Sequence, residues 1–242
     1  GTVSGYGQTG PYAGRPGFGT LAEEFSGFTY LNAQPDGPPT NAPMALADFI
    51  AGIHLAVAVL IALRQQKRGQ SGGQQIDMSL YEPLFSLLGP DFLTYCMTNE
   101  IPAPKGNELS YVVPRNNYRT RDGRWVTMSG ASQKPFERLM ESIGHPEMNA
   151  DPRFQSNEAR IKAPHRRIIN QVISEWVGNR DLDDVIETCE RLGITIGPIA
   201  SMQDIAANPH FAERGSILRV ADPATGEILK IPNLSFRLTG TP

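Results

Sequence analysis

Few side chains in this chain are placed to do chemistry. Asp48 stands in front of a run of Ala, Leu, Ile and Val that extends to Leu63. A carboxylate at the start of an apolar helix meets free backbone N–H groups and the positive end of the helix dipole. On spacing alone the plain reading is a helix cap, since Asp is favoured there. His54 lies on the same apolar helix and reads as a core histidine with its ring satisfied, the alternative being a proton carrier. Arg15 follows the Gly-rich turn Gly5-Tyr6-Gly7-Gln8-Thr9-Gly10-Pro11. Those glycines formally fit a dinucleotide-binding pattern, but no strand–helix context supports it. His145, His165 and His210 are scattered, with no carboxylate at ligand spacing, so no metal site is expected. Cys96 and Cys189 have no neighbour that would lower a thiol pKa and read as packing residues. The stretch Asp181 to Asp184 reads as the start of a helix.

The elements that must hold these residues follow from periodicity and punctuation. Residues 1–47 are rich in Gly and Pro, with one short helix expected near Thr20–Ser26. Gln34-Pro35-Asp36-Gly37-Pro38-Pro39 must be a loop, because its prolines remove donors and fix φ. A helix is expected over residues 48–68, closed by Arg64, Lys67 and Arg68, with Gly69 and Gly72-Gly73 stopping it. Gln74 to Leu80 alternates as a strand with Ile76 and Met78 on one face, and a second apolar helix spans Tyr81 to Asn99. Pro102 to Pro114 reads as a linker.

Beyond it the character changes. Tyr118-Arg119-Thr120 and Trp125-Val126-Thr127-Met128 flank Asp122-Gly123, a hairpin signal. Ser132 is expected to cap a helix ending at Gly144. Further helices are expected near Ala163–Val177, Asp181–Leu192 and Met202–Asn208. A second hairpin brackets Pro223-Ala224-Thr225-Gly226. The division that results is part of a large domain (1–101), a linker (102–115), a small α+β domain (116–215), and a return hairpin and linker (216–242). No internal repeat and no low-complexity tract occurs.

Bulk properties narrow the class. The chain has 242 residues, 40% of them hydrophobic and 19% charged, enough for a real core in each of two small domains. A net charge of −3 offers no basic field for nucleic acid. Two cysteines make no disulfide framework, so a reducing, cytoplasmic setting is expected. The apolar run Phe49 to Leu63 reads as a buried helix, too short for a bilayer, and no membrane partner is expected. The chain opens on Gly and stops in the loop-like Leu238-Thr239-Gly240-Thr241-Pro242, so truncation at both ends is the expectation.

Four segments in order carry a resemblance. They are Gly5-Tyr6-Gly7-Gln8-Thr9-Gly10-Pro11-Tyr12 with Arg15-Pro16-Gly17-Phe18; Asp48 with Gly52; Gly69-Gln70-Ser71-Gly72-Gly73-Gln74-Gln75-Ile76-Asp77-Met78-Ser79-Leu80; and Tyr118-Arg119-Thr120-Arg121-Asp122-Gly123-Arg124-Trp125. Weaker similarity runs on through Gly197-Pro198 and Asn208-Pro209-His210-Phe211. Together they resemble the class III CoA-transferase (CaiB/BaiF) family over nearly the whole chain.

That resemblance implies an α/β fold: part of a Rossmann-like large domain followed by a small α+β domain, in chains that form interlocked homodimers. It implies transfer of CoA from an acyl-CoA thioester to a free carboxylic acid, with coenzyme A as substrate and no covalently bound cofactor. Asp48 matches the family's catalytic aspartate, which reverses the cap reading of that residue. Arg15 is placed to meet a CoA phosphate or a partner chain, the alternative being a solvated loop arginine. Gln8 and Gly7 would line the acyl pocket, the alternative being a tight turn. Phe18 stands where the family's acyl-CoA racemases carry a histidine, and a phenyl ring moves no proton; the alternative, a packed core ring, excludes that racemase equally. A transferase is therefore expected, with a racemase or a non-catalytic scaffold as alternatives.

Overall fold

The computed structural model describes residues 1–69 and 72–240. Gln70 and Ser71, within the third matched segment, and Thr241 and Pro242, at the end of the expected final linker, lie outside the described residues. The chain divides into two compact units, Gly1–Leu109 and Ser110–Pro242.

The first unit is built around two short parallel strands. Strand β1 (Thr2–Ser4) pairs with β2 (Asp77–Ser79), Val3 opposite Met78. Parallel neighbours require a crossover, and the intervening chain supplies α1 (Gly19–Phe25), α2 (Phe28–Leu31) and α3 (Leu46–Lys67). Two helices follow β2, α4 (Tyr81–Leu87) and α5 (Gly89–Thr98). They replace the single expected helix from Tyr81 to Asn99. Pro90 sits in the first turn of α5, where its missing N–H costs nothing, whereas inside a continuous helix it would break the ladder.

The core of this unit is small, consisting of Ala22, Ala47, Ala51, Leu80 and Leu84. Only the first turns of α3 join it. Farther along, Phe49, Ile53 and Leu60 are each about two-thirds exposed. This corrects the expectation of a buried helix too short for a bilayer. Flanking residues, some of them polar, lengthen the helix to 22 residues, and only 11% of its most apolar 18-residue stretch is buried. By length and composition α3 is able to cross a membrane. The physical reason for its exposure is simple: α1 and α4 pack on its N-terminal end, and among the described residues of this unit nothing covers the remainder. His54 is exposed with it, not a core residue, and its Nδ1 lies 2.9 Å from the Ile50 carbonyl oxygen.

The second unit has a complete core. Strands β3 (Arg115–Arg119) and β4 (Trp125–Ser129) form the expected hairpin, Tyr118 opposite Val126. Gly123 takes a φ of 81° at its turn, which favours glycine. Helices α6 (Gln133–Ser142), α7 (Glu147–Ala150), α8 (Asn157–Arg160), α9 (Ala163–Gly178) and α10 (Leu182–Leu192) follow. An edge strand not read from the sequence, β5 (Ile196–Pro198), completes an antiparallel sheet in the order β3-β4-β5. Its Pro198 is tolerated because an edge strand leaves some donors unused. The unit ends with α11 (Met202–Ala207), α12 (Pro209–Glu213) and the exposed hairpin β6 (Ile217–Ala221) and β7 (Ile228–Pro232).

Alternation puts Tyr118, Val126 and Met128 on the buried face of the sheet, against Phe136, Leu139, Ile169, Ile173 and Val185 from the helices. Arg160 is fully buried among them. Its guanidinium donates to the carbonyls of Val113 (3.1 Å), Phe154 (3.1 Å) and Ala131 (2.6 Å), and to the Gln133 side chain. Burial pulls it down to about 10. Ser132 occupies the N-cap position of α6 but caps nothing through its side chain, which corrects that expectation. Ser156 and Ser201 do cap, on α8 and α11.

Candidate active site

Strand β1 delivers the chain into a closed loop. The backbones of Gly5 and Gly17 touch, so that a Cβ on Gly5 would lie 2.8 Å from the Gly17 Cα. Only glycine at both positions permits this neck. The loop between them packs on rings: Tyr6 stands edge-on to Tyr12 and Phe25, at centroid distances of 5.7 and 5.2 Å, and Phe25 stands 4.9 Å from Tyr81. Burial, and then the adjacent Glu82, raises the Tyr81 hydroxyl above its ordinary range. Strand β1 does precede the Gly-x-Gly-x-x-Gly pattern. No helix opens at Gly10, however, since α1 begins only at Gly19.

Arg15 lies at the end of this loop, exposed, with its guanidinium 3.6 Å from the Tyr12 ring centroid. Gln8 is exposed, and its backbone N–H donates to the Asp77 carboxylate at the end of β2, 3.0 Å away. Phe18 is the N-cap residue of α1 and is 76% exposed, so it is a surface ring and not a core one.

Asp48 occupies the first turn of α3, three residues past its N-cap Ala45. It is exposed, and among the described residues its carboxylate takes part in no hydrogen bond or ion pair. It rests against Gly19. A Cβ there would fall inside the carboxylate, 2.8 Å from Cγ. Asp48, Gly19 and Phe18 are thus brought together. Gln8 and Arg15 belong to the neighbouring loop and have partners other than Asp48.

The residue that sequence reasoning missed is Glu23. It is 2% exposed, and its Oε1 accepts from the backbone N–H groups of Leu46 (3.1 Å) and Ala47 (3.4 Å). Its Oε2 accepts from Ala42 at 3.4 Å. Glu23 therefore takes the free donors that had been expected to steady Asp48. Asp48 retains the dipole of the helix without those hydrogen bonds. A signal was present: Gly19, Ala22, Glu23 and Ser26 share one face of α1, and a single acid on a face of small residues has something to bind.

The combination is a strand-to-loop turn of touching glycines, an acid poised at the head of an apolar helix, and a separate small α+β unit. The family model for CoA-transferase family III matches residues 1–242, which is the whole chain. The chain belongs to CoA-transferase family III.

Family III relatives include a succinyl-CoA–D-citramalate CoA-transferase of Chloroflexus aurantiacus, 35% identical over 99% of this chain and 59% of its own length. The alpha subunit of a succinyl-CoA–L-malate CoA-transferase from the same organism is 37% identical over 99% of this chain and 55% of its own. The chain spans somewhat more than half the length of these curated relatives. A solved CaiB/BaiF family protein from Brucella suis is 26% identical with a TM-score of 0.76, covering 98% of this chain and 60% of that one. A structure from M. tuberculosis, 22% identical with a TM-score of 0.78, has the same fold over 99% of this chain and 62% of its own. The α/β fold expected from the sequence is the family III fold.

Proposed function

We propose that this chain is part of a CoA-transferase that moves CoA from an acyl-CoA thioester to a free carboxylic acid, with Asp48 as the nucleophile. The observation that carries this reading is the state of Asp48. It is an exposed carboxylate with no partner among the described residues, set at the head of α3 in the family III fold.

Asp48 attacks the thioester carbonyl, and the C–S bond breaks to give a mixed anhydride and CoA thiolate. The thiolate attacks the aspartyl carbonyl, releasing the donor carboxylate and leaving an aspartyl–CoA thioester. The acceptor carboxylate attacks that thioester and expels the thiolate again. The thiolate then takes the acceptor acyl group and regenerates Asp48. Splitting one exchange into four acyl transfers is nucleophilic catalysis.

Arg15 is assigned to a CoA phosphate, and Gln8 and Phe18 to the walls around the thioester. The relatives are named for succinyl-CoA with D-citramalate or L-malate. On that basis the donor is succinyl-CoA and the acceptor a hydroxylated dicarboxylic acid. The bare apolar face of α3 supports assembly with a second chain, in a homodimer or with a related subunit; the paucity of cysteine supports a reducing, cytoplasmic setting. The absence of an acid/base at Phe18 disfavours racemisation.

The test is to incubate the whole protein with succinyl-CoA and hydroxylamine and map adducts by mass spectrometry. A hydroxamate at Asp48 is expected. Asp48→Asn should lose it together with CoA transfer, by on the order of 10³-fold or more. Undiminished transfer by that variant, or α-deuterium incorporation from heavy water into acyl-CoA without any transfer, refutes the reading.

A further inference from the structure

The carboxylate that does no chemistry is as unusual as the one proposed to react. Glu23 is 2% exposed, and no basic side chain pairs with it among the described residues. A buried charge without a counter-charge persists only where hydrogen bonds satisfy it. Here the donors are the backbone N–H groups of Leu46 and Ala47, the two residues immediately before Asp48, together with Ala42. Charge-assisted bonds of this type are stronger than neutral ones and fix the donor's position.

The same face of α1 does two further things. Ala22 packs against Ala47 and Ala51, and small side chains on both helices let the backbones approach closely. Gly19, one turn before Glu23, leaves the space that the Asp48 carboxylate fills. Clamp, spacer and gap therefore recur at positions i+4, i+3 and i of one short helix.

We propose that Glu23 is a positioning residue for Asp48, and that α1 acts as its template. Glu23 holds the first turn of α3 through two backbone bonds, and Gly19 admits the carboxylate that this turn presents. The division of labour has a chemical sense. With Glu23 taking the N–H groups at the head of α3, the Asp48 oxygens keep their lone pairs for attack. An Asp48 that capped its own helix would have them engaged. This inference rests on Asp48 being the nucleophile.

Four variants of the whole protein test it, assayed for CoA transfer from succinyl-CoA with folding checked by thermal unfolding. Asp48→Asn is the reference and should abolish transfer; if it does not, the nucleophile assignment fails and this inference with it. Glu23→Ala should lower kcat by roughly 10- to 100-fold, the scale expected when a reacting group is misplaced by about an ångström. KM for the acyl-CoA should change by less than about threefold, because substrate binding is not what is lost. Glu23→Gln should recover kcat to within about fivefold of the wild type, since its amide oxygen accepts from Leu46 and Ala47.

Gly19→Ala is the variant a merely structural role would not affect. Alanine is the better helix former, so Tm should hold or rise, while kcat falls by about 100-fold as the carboxylate is displaced. If Glu23→Ala fails to fold, Gly19→Ala decides alone. Wild-type kcat in Gly19→Ala, or in a folded Glu23→Ala, overturns the proposal while leaving the nucleophile in place. A Glu23→Gln no better than Glu23→Ala overturns it too, because charge and not position would then be at stake.

Discussion

The two units of this chain solve the same problem with different completeness. In residues 110–242 the helices and the sheet bury a contiguous core, and the fully buried Arg160 meets carbonyl oxygens on several sides. Among the described residues of 1–109 the core cluster holds five buried residues, three of them alanine, and α3 keeps most of its apolar face bare. The difference shows that the second unit has what it needs to fold as a domain. The first has the geometry of a site but not the mass of a core. Among the described residues, the exposed apolar face of α3 has the character of an interaction face.

The sharpest way to break this comparison is through the two thiols, one in each unit. Cys96 is exposed, whereas Cys189 is buried in the second core and burial pushes its thiol up to about 12. Labelling by a thiol reagent at neutral pH should modify Cys96 at once. Cys189 should react on the order of 10³-fold more slowly or less, because it needs the core to open. Equal rates would show that the second unit is not a cooperative core.

Next comes truncation of apolar side chains. Phe154→Ala, at 1% exposure, should destabilise the second unit by about 3–5 kcal/mol. Ile53→Ser, at 66% exposure on α3, should change the stability of this chain by less than about 0.5 kcal/mol. The same serine should weaken assembly of the whole protein, read by sedimentation. A large loss from Ile53→Ser in the isolated chain would mean that α3 is already covered.

The smallest effect is acid sensitivity of the second unit. A hydrogen bond from Arg121 holds Asp181 below the usual carboxylate range, and the Ser201 hydroxyl does the same for Asp204. Depressed folded-state values contribute stability that is complete above the unfolded-state pKa, about 3.9. It is lost as pH falls through the lower folded values. Both tryptophans, Trp125 and Trp176, lie in this unit, so tryptophan fluorescence reports on it alone. Tm read in this way should hold from pH 6 to about pH 5 and fall as pH is lowered to 3, and Arg121→Met should shallow that fall. These pairs are exposed, so the change should be slight.

Much of the second unit was legible because its signals are local. Asp122-Gly123 between alternating segments specifies a hairpin, and Gly193 closes α10 in the left-handed region, at a φ of 64°. Strand β5 was not legible. Of its three residues only Ile196 favours a strand, Gly197 and Pro198 do not, and the edge of β4 confers their conformation. In the first unit, β1 was missed for the same reason, since three residues become a strand only beside β2. The break at Leu88 was readable from Gly89-Pro90 and was overlooked in favour of the longer apolar pattern.

At the site, the chain order alone determined that a carboxylate would stand at the head of an apolar helix, after a glycine-rich turn and an aromatic ring. Helix starts, turns and breakers are properties of a few consecutive residues. Which carboxylate would take up the helix's free N–H groups was decided only by the tertiary structure. The answer was Glu23, 23 residues before Leu46, brought there by the close packing of α1 on α3. Local spacing offers the nearest acid as the cap. Through-space approach substitutes a distant one, and that substitution leaves Asp48 unpaired at the surface.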